Sequence, residues 1–212
     1  AEYVSFKDKR HLEDILVLDT LLFATDVYNG ALVQYHLRKD ELSVLREFEL
    51  PVFALASKAN SNSIWVSTAQ IPQSRKKGSP SNIPEILEID VLTGATKSRI
   101  ALENDFLAGS MVFDRNDNLY VSNSSKPEIL VLDTKKNTII QKLDFNNAFN
   151  LQGITIDLDK NTLYVSDYIK GIAVVHIEKD YRIDWLNSPD FLVKGIDGLT
   201  YVSVNMLLAI QN

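Results

Sequence analysis

The sequence predicts an all-β fold in which four-stranded antiparallel units repeat around an axis, as the blades of a β-propeller do. A short apolar segment recurs along the 212-residue chain at about the spacing of one propeller blade. The runs around each copy are rich in Val, Ile, Leu, Tyr and Thr, which favour strands. No segment shows the i, i+3, i+4, i+7 spacing of an amphipathic helix, so little helix is expected.

The recurring segment is a predicted second strand that ends in a small or polar pair. Its copies are LFATD (22–26), IWVST (64–68), LYVSN (119–123), LYVSD (163–167) and LLAIQ (207–211). Between neighbouring copies the second residue advances by 42, 55, 44 and 44 positions, through Phe23, Trp65, Tyr120, Tyr164 and Leu208. The longer stretches 107–123 and 151–167 are close copies of each other, which indicates one structural unit used repeatedly.

The other strands of each unit fall on either side of this segment. Predicted first strands lie at 15–19, 52–56, 110–114, 153–157 and 198–202. Third strands are predicted at 31–37, 85–90, 128–133 and 172–177, and fourth strands at 44–50, 96–102, 138–144 and 182–186. The turns between them carry Asp, Asn and Gly, which accept tight-turn dihedral angles at little cost.

We expect a single propeller domain over residues 1–212 that is incomplete at its carboxyl end. Its blades are predicted near 13–50, 52–102, 108–144 and 151–190, with a partial blade at 197–212. Four and a half blades do not close a ring, so a six-bladed propeller lacking about one and a half blades is expected. The missing part would have been truncated or cleaved, or would lie on another chain, and residues 1–12 supply at most one strand.

Composition narrows the classes of partner. The net charge is −6 and Arg75-Lys76-Lys77 is the one basic cluster, which argues against nucleic-acid binding. No apolar run approaches the roughly 20 residues that span a bilayer, so no membrane segment is expected. The absence of cysteine excludes disulfides and thiolate sites. A start at Ala1 indicates a processed or cut terminus, and we expect a periplasmic or secreted protein rather than a cytoplasmic one.

Candidate site residues lie where each first strand begins, because these positions converge at one mouth of a propeller channel. They are Glu13, Asp14, Pro51, Gly109, Ser110, Gln152 and Asp197. Second strands end at the same face with Asp26, Asn123, Asp167 and Asn212. Converging oxygen donors suit a hard cation such as Ca²⁺, with Zn²⁺ or Mg²⁺ as alternatives. Equally, Asx side chains near strand ends satisfy turn backbone, which is the alternative for Asp26, Asn123 and Asp167.

The longest excursion is AQIPQSRKKGSPSNIP at 69–84, between the second and third strands of the second blade. Its Pro, Gly and Ser content predicts a loop over the same mouth. Such a loop would act as a lid over a ligand pocket, or it would be a flexible insertion. The three histidines, His11, His36 and His176, show no spacing typical of metal ligands.

Three motifs resemble those of the senescence-marker-protein/gluconolactonase family, the regucalcin type, over the chain from about residue 10 to its end. They are Glu13-Asp14, Leu151-Gln152-Gly153-Ile154 and Gly195-Ile196-Asp197-Gly198-Leu199. That family is a six-bladed propeller. Similar Gln-Gly-Ile patterns also occur in strictosidine-synthase-like and NHL-repeat propellers. This chain departs from the family in having Gln152 where an Asn is usual, and Leu107-Ala108-Gly109-Ser110 where an Arg-x-Asn-Asp type of segment is usual.

The resemblance implies a divalent cation in the channel mouth, held by Glu13, Gln152 and Asp197. It further implies hydrolysis of a lactone or ester, with Asp197 or Asp167 as general base. Ser110, Asn123 and Asp26 would be further ligand contacts. The alternatives are a non-catalytic propeller that binds a small ligand or a protein partner, and a receptor or adaptor domain of a larger extracellular protein.

Overall fold

The computed structural model describes residues 10–76, 78–79, 81–186, 193–204 and 206–212. In this part of the chain the strands form four four-stranded sheets and one two-stranded sheet, all antiparallel and each formed by strands consecutive in sequence. The predicted all-β propeller architecture, with about four and a half blades, is therefore confirmed. Residues 1–9 and 187–190, which enter the predicted blades or an extra strand, lie outside the described residues.

Each complete blade runs as a meander from its innermost to its outermost strand. Blade one comprises β1 (Leu12–Leu18), β2 (Leu21–Asp26), β3 (Ala31–His36) and β4 (Glu41–Glu47). Blade two comprises β5 (Val52–Ala56), β6 (Ser63–Thr68), β7 (Glu85–Asp90) and β8 (Thr96–Ala101). Blade three comprises β9 (Ala108–Phe113), β10 (Asn118–Asn123), β11 (Glu128–Asp133) and β12 (Thr138–Asp144).

Blade four and the half blade complete the arc. Blade four comprises β13 (Leu151–Asp157), β14 (Thr162–Asp167), β15 (Gly171–His176) and β16 (Arg182–Leu186). Blade five contains β17 (Ile196–Ser203) and β18 (Met206–Gln211). Within the described ranges, helix is limited to one 3₁₀ turn at Ile177–Lys179, as the sequence predicts. No helix there has the length and apolarity to cross a bilayer.

The turns between first and second strands share one backbone conformation. Asp19, Asn60, Asp117 and Asn161 occupy these four turns, each with φ between 51° and 68°. Asn and Asp tolerate this left-handed region better than other side chains because their short polar groups bond locally. The Asx-rich turns that the sequence places between strands are therefore required by the backbone.

The core lies between neighbouring blades. The second residue of each recurring segment is its anchor, and Phe23, Trp65 and Tyr120 are at most 1% exposed. Trp65 meets Phe113 of the next blade edge to face at 6.0 Å between ring centroids. Each blade thus buries its face against the next, and Trp65 is part of this inter-blade core.

The two ends of the arc leave apolar faces in solvent. Ile15 and Val17 on β1 are 63% and 53% exposed, and Leu208 and Ile210 on β18 are 64% and 66% exposed. Leu208 holds the anchor position that Phe23 and Trp65 occupy in buried form elsewhere. The fifth blade therefore exposes the anchor position that blades one to three bury, because no further blade packs on it among the described residues.

Candidate functional site

Every inner strand carries a β-bulge near its start. The pairing of β13 with β14 shifts between Leu151 and Ile154. Leu151 pairs with Asp167 and Ile154 pairs with Val165, so β13 has one extra residue at this point. The same kind of shift occurs in β1, β5, β9 and β17. The bulged positions are Glu13–Asp14, Phe53–Ala54, Gly109–Ser110, Gln152–Gly153 and Asp197. Apart from Pro51, which precedes β5, the predicted mouth residues at the first strands therefore lie in repeated bulges, a feature that re-aims side chains.

In the four complete blades, a hydroxyl one residue before the end of the second strand bonds to the backbone of the bulge. Ser122 Oγ accepts a hydrogen bond from Ser110 N at 3.0 Å and donates to Gln152 O of the next blade at 2.5 Å. Thr25 Oγ1 likewise accepts from Asp14 N at 3.0 Å and donates to Phe53 O at 2.6 Å. These hydroxyls tie each bulge to its own blade and to its neighbour, so they fix the spacing of the mouth.

Ser67 and Ser166 occupy the same position in blades two and four. Ser67 Oγ accepts from Ala54 N at 2.9 Å, and Ser166 Oγ donates to Gly153 O at 3.3 Å. These hydroxyls are not among the site residues that the sequence predicts. The signal was present, because the segments FATD, VST, VSN and VSD all carry Thr or Ser at this position.

The last residue of the second strand makes a second repeated set of bonds. Asp167 is fully buried, and its carboxylate accepts from four backbone N–H groups. Two of these N–H groups belong to Phe149 and Asn150, just before the inner strand β13. The other two belong to Ile169 and Lys170, just after β14. Both carboxylate oxygens of the predicted general base are therefore engaged by backbone.

Asp26 and Asn123 hold the equivalent loops of blades one and three. Asp26 is fully buried and accepts from Asn29 N at 3.2 Å and from Arg10 Nη1 at 2.9 Å. Asn123 Oδ1 accepts from Leu107 N at 3.3 Å and from Ser125 N at 3.0 Å. The three residues share a turn-stabilising arrangement, which is the alternative that the sequence left open for them.

Glu13 and Asp197 lie in the inner-strand bulges of the first and fifth blades. Burial raises the pKa of Glu13, and the charge of Asp197 raises it further, against an opposing contribution from His11. His11 Nε2 lies 3.3 Å from Glu13 Oε2. Asp197 Oδ2 accepts from Asn212 Nδ2 at 2.8 Å. The two predicted carboxylate ligands are thus close enough for their charges to interact.

Asp14, next to Glu13, is a third acidic group of the mouth. Burial raises its pKa to about 6, although its carboxylate accepts from Leu55 N at 2.7 Å and from Ile15 N at 2.8 Å. These two bonds stabilise the charged form but do not outweigh desolvation. Asp14 therefore joins blades one and two, and its carboxylate is occupied by backbone.

Gln152 lies between blades three and four. Its Nε2 donates to Asn150 Oδ1, and its Oε1 accepts from Ser124 Oγ at 3.3 Å. A Cβ on Gly109 would stand 3.1 Å from Gln152 Cα, so the inner strands of the two blades approach closely here. Ser110 is half-buried, and its backbone N–H donates a hydrogen bond to Ser122 Oγ.

The predicted metal ligands comprise two carboxylates and one amide. Among the residues that the structure describes, no group of three or more His, Cys, Asp or Glu side chains gathers closely enough to hold a metal ion. Glu13 and Asp197 interact electrostatically, whereas Gln152 is oriented by Asn150 and Ser124. An oxygen donor set suits a hard cation chemically, so the residues fit Ca²⁺ by type.

The 69–84 segment, expected as a lid or an insertion, lies against blades one and two in its described part. Ser74 is buried and its Oγ donates to Val27 O at 2.9 Å. Arg75 N donates to Tyr28 O at 3.0 Å. Ile71 packs beside Phe53, a bulge residue of blade two. The loop is therefore attached to the mouth face by both hydrogen bonds and apolar contact.

No protein-family model matches this sequence, and no curated protein matches it. Solved structures do resemble it in fold. A chain of a nidogen/laminin complex matches with a TM-score of 0.69 at 15% identity, over 95% of this chain and 72% of that chain. The Malassezia sympodialis allergen Mala s 1 matches with a TM-score of 0.71 at 16% identity, over 94% of this chain and 72% of that chain.

Virginiamycin B lyase from Staphylococcus aureus matches with a TM-score of 0.72 at 14% identity, over 97% of this chain. This chain spans 64% of the lyase, which is less than two thirds of its length. These neighbours are β-propeller proteins, so the comparisons support the propeller fold. At such low identity they show the fold alone and identify neither a lactonase nor any other activity.

Proposed function

We propose that this protein is a ligand-binding propeller whose recognition site is the channel mouth formed by the bulges of its inner strands. One observation carries the proposal: the framework repeats from blade to blade, but the bulge side chains do not. Thr25 and Ser122 make the same bonds in different blades. The bulges of the five inner strands carry Glu13, Phe53, Gly109, Gln152 and Asp197. A constant scaffold with unlike side chains is what an asymmetric ligand requires.

The chemistry of the mouth favours a positively charged group. The pKa of Glu13 is raised above its ordinary value, first by burial; His11 opposes this increase, and the charge of Asp197 adds a smaller one. A cation between them would relieve the repulsion and lower that pKa. The ligand class proposed is therefore a divalent cation, or a small molecule bound together with one, with Ca²⁺ preferred because all donors are oxygens.

Thermal unfolding with and without Ca²⁺, Zn²⁺ or Mg²⁺ tests this proposal. A ligand present at 100 times its Kd adds about 2.7 kcal/mol to the free energy of unfolding, which corresponds to roughly 5–10 °C for a chain of this size. Glu13→Gln should abolish the shift. Glu41→Gln, which alters an exposed carboxylate on β4, should leave it intact. An unchanged midpoint with all three cations would contradict the proposal.

A second candidate is a metal-dependent hydrolase of the sugar-lactone lactonase type, supported by the pairing of Glu13 with Asp197 and by the family resemblance. When bound, a divalent cation would polarise the carbonyl of a lactone or ester. Glu13, Gln152 and Asp197 would hold the cation, and Asp197 would be the residue to accept a proton from water. Asp167 is less suited to that task because its carboxylate binds four backbone N–H groups.

Proton release from a panel of sugar lactones, followed at constant pH with and without Ca²⁺, separates the two candidates. The hydrolase candidate requires turnover that needs the cation and is lost in Asp197→Asn. Cation binding without turnover would favour a non-catalytic propeller, for which a small molecule or a protein partner would be the ligand. In the nidogen/laminin complex the matching propeller is found in a protein assembly, which makes a protein partner the first to examine in that case.

A further inference from the structure

A cleft on blade one concentrates positive charge on an acidic protein. It encloses about 360 Å³ and is lined by Arg10, Tyr28, Asn29, Ala31, Val44, Glu47, Arg75 and Lys76. Three of these side chains are cationic and one is anionic, whereas the chain as a whole carries −6. Its size is in the range of small-molecule sites. Neither Glu13 nor Asp197 lines this cleft, so the cleft is separate from the proposed mouth site.

Two of the cationic side chains, Arg75 and Lys76, belong to the loop before β7, and hydrogen bonds attach this loop to blade one. Ser74 Oγ donates to Val27 O at 2.9 Å and accepts from Lys76 N at 3.0 Å. Arg75 N donates to Tyr28 O at 3.0 Å. Since Ser74 is only 3% exposed, this segment is fixed to blade one by a buried hydroxyl. Arg75 and Lys76 are therefore presented at the cleft by ordered backbone.

The three cations differ in how far they are already neutralised. Arg10 donates to the buried Asp26 at 2.9 Å, and Lys76 Nζ lies 3.1 Å from Glu47 Oε2. Within the described ranges, the guanidinium of Arg75 has neither an ion pair nor a side-chain hydrogen bond. A planar guanidinium with its donors unused matches the geometry of carboxylate and phosphate groups.

We propose that this cleft binds a small organic anion, whose carboxylate or phosphate group is held by Arg75 and Lys76 and whose body lies against Tyr28 and Val44. The Tyr28 ring and the Val44 side chain supply apolar surface in the same cleft. The Asn29 amide adds a polar group to its lining. This site is independent of the proposed mouth site and takes a ligand of opposite charge.

Calorimetric titrations with phenyl phosphate, benzoate and inorganic phosphate at low salt test the proposal. Phenyl phosphate or benzoate should bind at one saturable site more tightly than inorganic phosphate, and added salt should weaken the binding. Tighter binding of phenyl phosphate would identify the head group of the ligand as a phosphate, and tighter binding of benzoate would identify it as a carboxylate.

Loss of a charged hydrogen bond in Arg75→Gln should weaken binding roughly tenfold or more. Glu47→Gln, which removes the anion competing for Lys76, should strengthen it.

Arg38→Gln is the matched control, because Arg38 is exposed in the β3–β4 turn at the opposite end of the same blade. It should leave the affinity unchanged. Asp197→Asn should also leave it unchanged, which distinguishes this cleft from the mouth. Absence of saturable binding by all three probes at millimolar concentration would overturn the proposal. Equal weakening by Arg75→Gln and Arg38→Gln would overturn it as well, because the attraction would then be non-specific.

Discussion

At the scale of single residues, the framework of this propeller depends on a few buried polar side chains that satisfy backbone groups. Asp167 accepts from four N–H groups, and Ser122 joins two blades through one hydroxyl. Buried polar groups of this kind contribute mainly because leaving their partners unsatisfied is costly. Their removal should therefore affect stability more than their small size suggests.

Asp167→Ala should lower the free energy of unfolding by roughly 3 kcal/mol or more, since four backbone donors lose a charged acceptor. Urea denaturation measures the change. Asp144→Ala, at an exposed carboxylate on β12, should stay within roughly 0.5 kcal/mol. If the two variants were equally stable, the framework role of Asp167 would be refuted.

Ser122→Ala should lower the free energy of unfolding by roughly 1–3 kcal/mol, because Ser110 N and Gln152 O both lose their bond to Oγ. Ser43→Ala is its control, because Ser43 is exposed on β4 and, among the described residues, Gln34 alone bonds to its hydroxyl. Denaturant titration of both variants provides the comparison. A neutral Ser122→Ala would mean that the bulges are held by pairing alone.

At the scale of strands, the close approach of neighbouring inner strands limits which residues the bulges accept. β13 packs against β17, and a Cβ on Gly153 would stand 2.6 Å from Leu199 N and 3.0 Å from Asp197 O. Both are backbone atoms, so relief would require the two strands to separate. A Cβ on Gly198, one residue after Asp197, would make only ordinary van der Waals contact, with its nearest neighbour, the Ile210 side chain, at 3.5 Å.

Gly153→Ala should therefore destabilise the protein by roughly 1–3 kcal/mol through overpacking between blades four and five. Gly198→Ala, the same change on the facing strand, should be tolerated. Thermal unfolding of the pair measures the difference. Equal midpoints for both variants would show that the inner strands separate freely.

At the scale of the whole molecule, the two exposed end faces should promote self-association when residues 1–212 are studied as a separate chain. Ile15, Leu208 and Ile210 are each more than 60% exposed, and β18 has a free edge among the described strands. Apolar faces and open edges favour contact between chains. Sedimentation should detect association that rises with concentration. Leu208→Lys should reduce it, whereas Leu92→Lys, at a turn residue that is 79% exposed, should not.

The sequence repeat made the fold predictable, but the hydrogen bonds around the candidate site could not be predicted as well. The periodic segments and Asx turns placed the blades and their inner strands, because both follow from local composition. The bulges were not predicted, since an extra residue in β13 leaves the run Leu151 to Ile154 looking continuous. The full burial of Asp167 depends on loops from two sides of the blade, which a linear pattern does not reveal. Whether Glu13 and Asp197 face each other depends on the curvature of the whole arc.

The most direct test of the central claim is a calorimetric titration of the protein with Ca²⁺. The proposal predicts one saturable site that is lost in both Glu13→Gln and Asp197→Asn and retained in Asp144→Asn. Absence of binding at millimolar Ca²⁺, or binding that survives both mouth substitutions, would contradict it. In that case the mouth carboxylates would serve the backbone and the loops around them, and the ligand of this propeller would have to bind elsewhere.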